Sequence, residues 1–235
     1  MKIFSIEPKN APDKYNFEFE LQKKYFKIQN IKIIYIPSKY SFNGNYFNKF
    51  ESIFDSYRKK IINDGDLYID LDILINPNYL KKLNNLNNLF SIYEDFYEYN
   101  WNIFWDGQLR KLNKKYKLNH RYSSANFKIY KLNTLQNLFI EFRDKFYDFY
   151  KKSNIFEEYL FSIYIKKLKE NEFINYNKNI LNSYNSNLMY FINHYSTKIY
   201  EYYFYQFYKS KNISKEEFKY YINIIKQLRK IYEKS

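Results

Sequence analysis

Two carboxylates one residue apart, Asp70 and Asp72, stand in the run LYIDLDILI at residues 67–75. On a strand, the two-residue side-chain period turns both to the same side, so that they can share one ligand. Paired hard oxygen donors suit Mg²⁺ or Mn²⁺ carrying a diphosphate, because such an ion needs few protein carboxylates beside its phosphate oxygens. The bland alternative is a turn-capping acid beside an incidental one. Against it, an acid inside a buried strand is costly unless it is paired or bound to a metal. His194 follows an apolar run and its neutral imidazole could complete a metal shell, although a satisfied structural histidine fits as well.

The elements around these residues alternate. Lys2–Ile6 reads as a strand, residues 13–30 carry apolar positions at helical spacing, and Ile31–Pro37 is a β-branched and aromatic run that Pro37 ends. Residues 46–62 place Phe47, Phe50, Ile53, Phe54, Tyr57 and Ile61 on one helical stripe. The Asn63-Asp64-Gly65-Asp66 cluster forces a turn, Leu67–Ile75 is expected as a strand, and Asn76-Pro77-Asn78 closes it into a short helix. This β-α-β-α-β order predicts an α/β fold with a mostly parallel central sheet flanked by helices. It also puts the acids near the carboxyl end of the third strand, where open α/β sheets bind ligands. Further strands are expected at Leu89–Tyr93, Asn126–Lys131 and Met189–His194, and helices at Leu135–Tyr150 and Ile155–Leu168. Ser214 with Glu217 makes a capping box for a last helix.

The chain has 235 residues, a formal charge of +14, 30 Tyr, 23 Phe and no Cys. Cysteine-ligated metals and disulfides are excluded, and so much aromatic area argues against disorder. No run approaches the length of a membrane span, and Glu7 and Pro8 interrupt any signal-peptide core, so a cytoplasmic protein is expected. Lys, Asn, Ile, Tyr and Phe are the residues of AT-rich coding, which points to a viral or AT-rich bacterial source and weakens the charge as a sign of nucleic-acid binding. Between Asp106 and Lys131 about eight Lys or Arg face one Asp. That segment could steer an anionic acceptor, or be a solvated loop.

With these residues in place, the chain resembles nucleotide-sugar glycosyltransferases of the GT-A fold, whose D-x-D at a strand end holds a metal and the donor diphosphate. Asp55-Ser-Tyr-Arg58 followed by Gly65-Asp-Leu-Tyr68-Ile-Asp70-Leu-Asp72 is similar to the D-x-x-R…G-G-x-Y-x-D-x-D block of capsule-type sugar transferases and glucosylating toxins. Tyr122-Ser-Ser124-Ala-Asn126 stands where glycogenin-like and lipopolysaccharide-type galactosyltransferases have an N-x-G loop. His194-Tyr-Ser-Thr-Lys198 is similar to their H-x-x-G-x-x-K segment.

The resemblance implies Asp70 and Asp72 as catalytic metal ligands with His194, a UDP-sugar as donor, and retention at the anomeric carbon. It assigns Asp55, Arg58, Ser124, Asn126 and Lys198 to the donor. Asp55 and Arg58 equally fit an i, i+3 pair on a solvated face, and Lys198 a surface lysine. The acceptor expected is a glycan, a lipid-linked sugar or a modified nucleic acid. An inverting enzyme would need a general base, for which Glu157 and Glu158 lie on a helix. Residues 1–205 form the expected transferase domain and 206–235 a helical extension packed on it. Peripheral membrane contact through the basic aromatic tail is an open option. The other function classes compatible with the sequence are a non-catalytic nucleic-acid-binding protein and a transferase fold kept as a binding module.

Overall fold

A strand, β1 (Ile3–Glu7), occupies the middle of the fold, with β2 (Ile33–Pro37) parallel on one side and β3 (Leu67–Ile69) parallel on the other. The structure, a computed structural model, describes residues 1–41, 47–86, 89–95, 116–118, 120–145, 156–168, 174–175, 180–183, 204–207 and 214–232. Helix α1 (Asp13–Ile28) makes the first crossover and α2 (Phe47–Arg58) the second. Both helices end by the same device. Asn30 and Lys60 take positive φ, and the next amides, of Ile31 and Ile61, reach back to the carbonyls of Phe26 and Ser56 at 2.9 and 3.0 Å. This paired closure satisfies the last helical carbonyls and turns the chain back toward the sheet.

Strand β7 (Asn126–Lys128) runs antiparallel beside β3 and completes a four-stranded sheet of order β2-β1-β3-β7. Two smaller sheets flank it. In one, β4 (Ile73–Ile75) pairs antiparallel with β10 (Phe204–Phe207), which pairs parallel with β9 (Ile180–Ser183). In the other, β5 (Leu89–Asp95) lies between β6 (His120–Ser123) and β8 (Ile174–Asn175). The remaining helices described are α3 (Leu80–Asn85), α4 (Leu132–Lys145), α5 (Phe156–Lys167) and α6 (Lys215–Tyr232).

Alternation along the strands divides the core between the two faces of the main sheet. Phe4, Tyr68 and Phe127 pack with Phe50 and Phe54 of α2 and with α4 and α5. Ile3, Leu67 and Ile69 pack with Leu21, Tyr25 and Phe26 of α1, with β4, and with Tyr221, Ile224 and Ile225 of α6. Helix α6 is fixed to α1 by Phe17 against Phe218 and Tyr221, and by Arg229 donating to the Ile28 carbonyl at 2.7 Å.

Two expectations are corrected. Leu67–Ile75 is not one strand: Asp70, Leu71 and Asp72 form a turn between β3 and β4, which belong to different sheets. The turn closes because the Ile73 amide donates to the Asp70 carbonyl at 3.0 Å, while Gln22 of α1 donates to the carbonyls of both Asp70 and Ile73. In addition, residues 204–207, expected at the junction with a helical tail, form β10 and pair with β4. The strand expected at Met189–His194 lies outside the described residues. Among the described residues no helix is long and apolar enough to cross a membrane.

Candidate functional site

Two chain crossings meet at the carboxyl end of β3. One is the Asp70–Asp72 turn from β3 into β4. The other is Ser124-Ala125, where the chain passes from β6 into β7. The Asp70 amide donates to the Ala125 carbonyl at 2.7 Å and joins them. A polar cluster is thus built where the main parallel run stops, the usual ligand edge of such a sheet.

A buried ammonium holds this cluster together. Lys49, in the first turn of α2, has Nζ 2.9 Å from Oε1 of Glu157, 3.6 Å from Oδ2 of Asp70 and 3.4 Å from the Ser124 carbonyl oxygen. The Ser124 hydroxyl also donates to Glu157 Oε1, at 3.2 Å, and the Tyr68 hydroxyl donates to Asp70 Oδ1. Among the described residues Glu157 Oε2 has no hydrogen-bond partner. Burial works against the Lys49 charge, but Asp70 and Glu157 outweigh it and push its pKa up, so Lys49 stays protonated. Burial raises Glu157 to about 8, against the pull of Lys49 and with help from Asp70. Asp70 is also raised, by burial, with Lys49 and Tyr68 opposing.

The other side of the turn is acidic as well. Glu18 of α1 is only 3% exposed, and its carboxyl is raised to about 9 by burial and by the charges of Asp72 and Asp70, with Lys14 at 3.7 Å a partial counterweight. Glu18 and Glu157, with carboxyls raised to about 9 and about 8, hold their protons at neutral pH, which leaves Asp70 and Asp72 as the hard oxygen donors at the turn. Two hard oxygen donors at one turn suit a divalent cation accompanied by phosphate oxygens. Among the described residues no three His, Asp or Glu side chains converge closely enough to cage an ion by themselves. The two aspartates fit an ion that takes the rest of its shell from a ligand.

The fold brings Asp70 and Ser124 into one cluster, with Asp72 beside it. Asn126 sits at the same edge, opposite Ile69 on β3; it is fully buried, and among the described residues both side-chain amide atoms lack hydrogen-bond partners. Asp55 and Arg58 are elsewhere. They lie at the far end of α2 from Lys49, roughly 9–14 Å along the helix at 1.5 Å per residue. Asp55 there pairs with Lys59 at 2.7 Å and Arg58 at 3.5 Å. His194 and Lys198 lie outside the described residues. Asp66, where the resemblance has a second glycine, accepts from the amides of Lys2 at 2.6 Å and Asn63 at 2.9 Å, and so ties the turn before β3 to β1.

Lys49 is the site residue that sequence reasoning missed. The available signal was its place four residues before the buried Ile53, on the inward side of α2. Glu157 and Glu158 were indistinguishable by sequence; the structure buries Glu157 in the cluster and leaves Glu158 partly exposed.

Among solved structures, the chain matches a glycosyltransferase described as involved in the glycosylation of the major capsid of PBCV-1, with TM-score 0.52 and 12% identity over 95% of this chain and 98% of that one. The chain has a glycosyltransferase fold. Two structures of the glycosyltransferase GlyE from Streptococcus pneumoniae TIGR4 also align, one of them the apo form, with TM-scores of 0.46 and 0.48 and identities of 12% and 10%. These cover 99% of this chain and 63% of GlyE. No family model and no curated protein sequence matches the chain.

Proposed function

We propose that this glycosyltransferase fold is catalytic and transfers a sugar from a nucleotide-sugar donor, a UDP-sugar in the first instance, to a hydroxyl acceptor on a glycan. The observation that carries the reading is the pair of carboxylates, Asp70 and Asp72, at one turn on the ligand edge of the sheet. Asp72 and Asp70 would hold Mn²⁺ or Mg²⁺. When bound, the ion supplies Lewis-acid neutralisation of the charge that develops on the departing diphosphate. Tyr68 fixes the Asp70 carboxylate from the protein side through Oδ1. The Asn126 amide, buried and without a hydrogen-bond partner among the described residues, has a donor and an acceptor to offer to sugar hydroxyls. His194 and Lys198 are proposed to join the metal and diphosphate sites, and Asp55 and Arg58 would contribute only if a ligand extends along α2. Retention at the anomeric carbon, an anionic acceptor and a cytoplasmic setting belong to the same proposal.

The test is a thermal-shift screen of UDP, GDP, CDP and their sugars, with and without Mn²⁺, on wild type, Asp70→Asn and Asp72→Asn. A donor at about 100 times its Kd stabilises the native state by about 2.7 kcal/mol, a rise of roughly 5–10 °C for a chain of this size. A shift that requires the metal and both acids supports the reading. Absence of any shift, together with salt-steep nucleic-acid binding indifferent to both substitutions, overturns it.

A further inference from the structure

Both oxygens of Asp70 are already engaged. Oδ1 accepts from the Tyr68 hydroxyl, and Oδ2 faces the Lys49 ammonium at 3.6 Å. A divalent ion approaching Oδ2 meets that ammonium first. Lys49, however, is bound more closely elsewhere, to Glu157 at 2.9 Å and to the Ser124 carbonyl at 3.4 Å. It can therefore leave Asp70 without becoming an unpaired buried charge, the state that would otherwise forbid the exchange.

From this we infer that Lys49 is an internal counter-ion that an incoming divalent cation displaces from Asp70, and that Glu157 is the positioning residue that retains Lys49 when it lets go. The pair would then set the affinity of the site for the cation. The inference rests on the cation reading given above and adds two residues to it. It also gives Glu157 a role other than general base: its Oε1 is occupied by Lys49 and Ser124 and serves to hold them.

The consequence has an unusual sign. Removing Lys49 removes a repulsive charge a few ångströms from the ion, whereas replacing Glu157 by Gln takes away the closer partner of Lys49, leaves Asp70 as its remaining ion pair among the described residues and strengthens the competition. A purely structural pair would weaken the site whichever member is lost. The experiment is Mn²⁺ binding, followed by electron paramagnetic resonance of free Mn²⁺ and by calorimetry, with and without saturating UDP. It compares full-length wild type, Lys49→Met, Glu157→Gln, the double variant and Asp72→Asn, each checked for folding by circular dichroism.

Lys49→Met is expected to tighten Mn²⁺ binding by about tenfold or more, and Glu157→Gln to weaken it by a similar factor. In the double variant, loss of Lys49 is expected to restore the affinity that Glu157→Gln removed. Should Lys49→Met not fold, Lys49→Gln supplies the same loss of charge. Equal or weaker binding by the folded Lys49 variants, or a shift of the same sign in Lys49→Met and Glu157→Gln, overturns the inference while the cation site stands. Wild-type binding that is absent with UDP as well as without it, or unchanged by Asp72→Asn, overturns the cation reading itself and the inference with it.

Discussion

Replacing Glu18 by Gln should stabilise the protein, and by an amount that grows with pH. The Glu18 carboxyl titrates at about 9 in the folded chain, against an ordinary value of 4.5, because it is buried and faces Asp72 and Asp70. Its folded pKa is raised, so between pH 4.5 and 9 the unfolded chain ionises freely while the folded chain holds the proton. Folded stability therefore falls as pH rises through that window, and the penalty is complete above it. Each pH unit costs about 1.4 kcal/mol, so by pH 7 the native carboxyl costs about 3 kcal/mol that a neutral amide does not. At pH 4.5 wild type and Glu18→Gln should melt together. At pH 7 the variant should melt roughly 6–12 °C higher. Melting curves of both proteins from pH 4.5 to 9 at constant ionic strength measure the difference. Parallel curves across that range would refute the reasoning, since burial and the two aspartates would then not be acting on Glu18.

Phe127→Ala should destabilise the chain by about 3–5 kcal/mol in urea unfolding, because its ring lies 4.7 Å from Phe161 and 5.3 Å from Tyr68 at the centre of one core face. Arg58→Ala should change stability by less than about 0.5 kcal/mol, since its pairing with Asp55 is exposed. A fall in donor affinity for that variant without a fall in melting temperature would place Arg58 in the donor site despite its distance from Lys49.

The β-α-β-α-β order was legible because its cues are local. The apolar stripes of α1 and α2 and the β-branched runs of β1 and β2 each carry their own period. The break at Asp70 was not, because LYIDLDILI alternates as an intact strand would. What stops the strand is long-range: the Ala125 carbonyl takes the Asp70 amide, and Gln22 takes the carbonyls on either side of the turn. The two acids stand out by type and spacing, and they meet at a turn rather than by strand alternation. Lys49 was hidden for another reason. In a lysine-rich chain no single lysine stands out, and only burial between two carboxylates distinguishes this one. Asp66 shows the converse, a motif position taken by a residue whose hydrogen bonds are structural.

The passage of the chain from β3 into β4 also bears on how this protein could be divided. The acidic turn is anchored on its far side by β4, whose partner strand β10 comes from residues 204–207. A fragment ending near residue 200 would contain Asp70, Asp72, Lys49 and Glu157 and still lack the strand against which the turn is braced. Such a fragment is the natural bait for complementation: a separately expressed piece carrying residues 204–232 would bring both β10 and the α6 face that packs on α1. Reassembly of the two pieces would turn the geometry of the acidic turn into a reporter of its own scaffold.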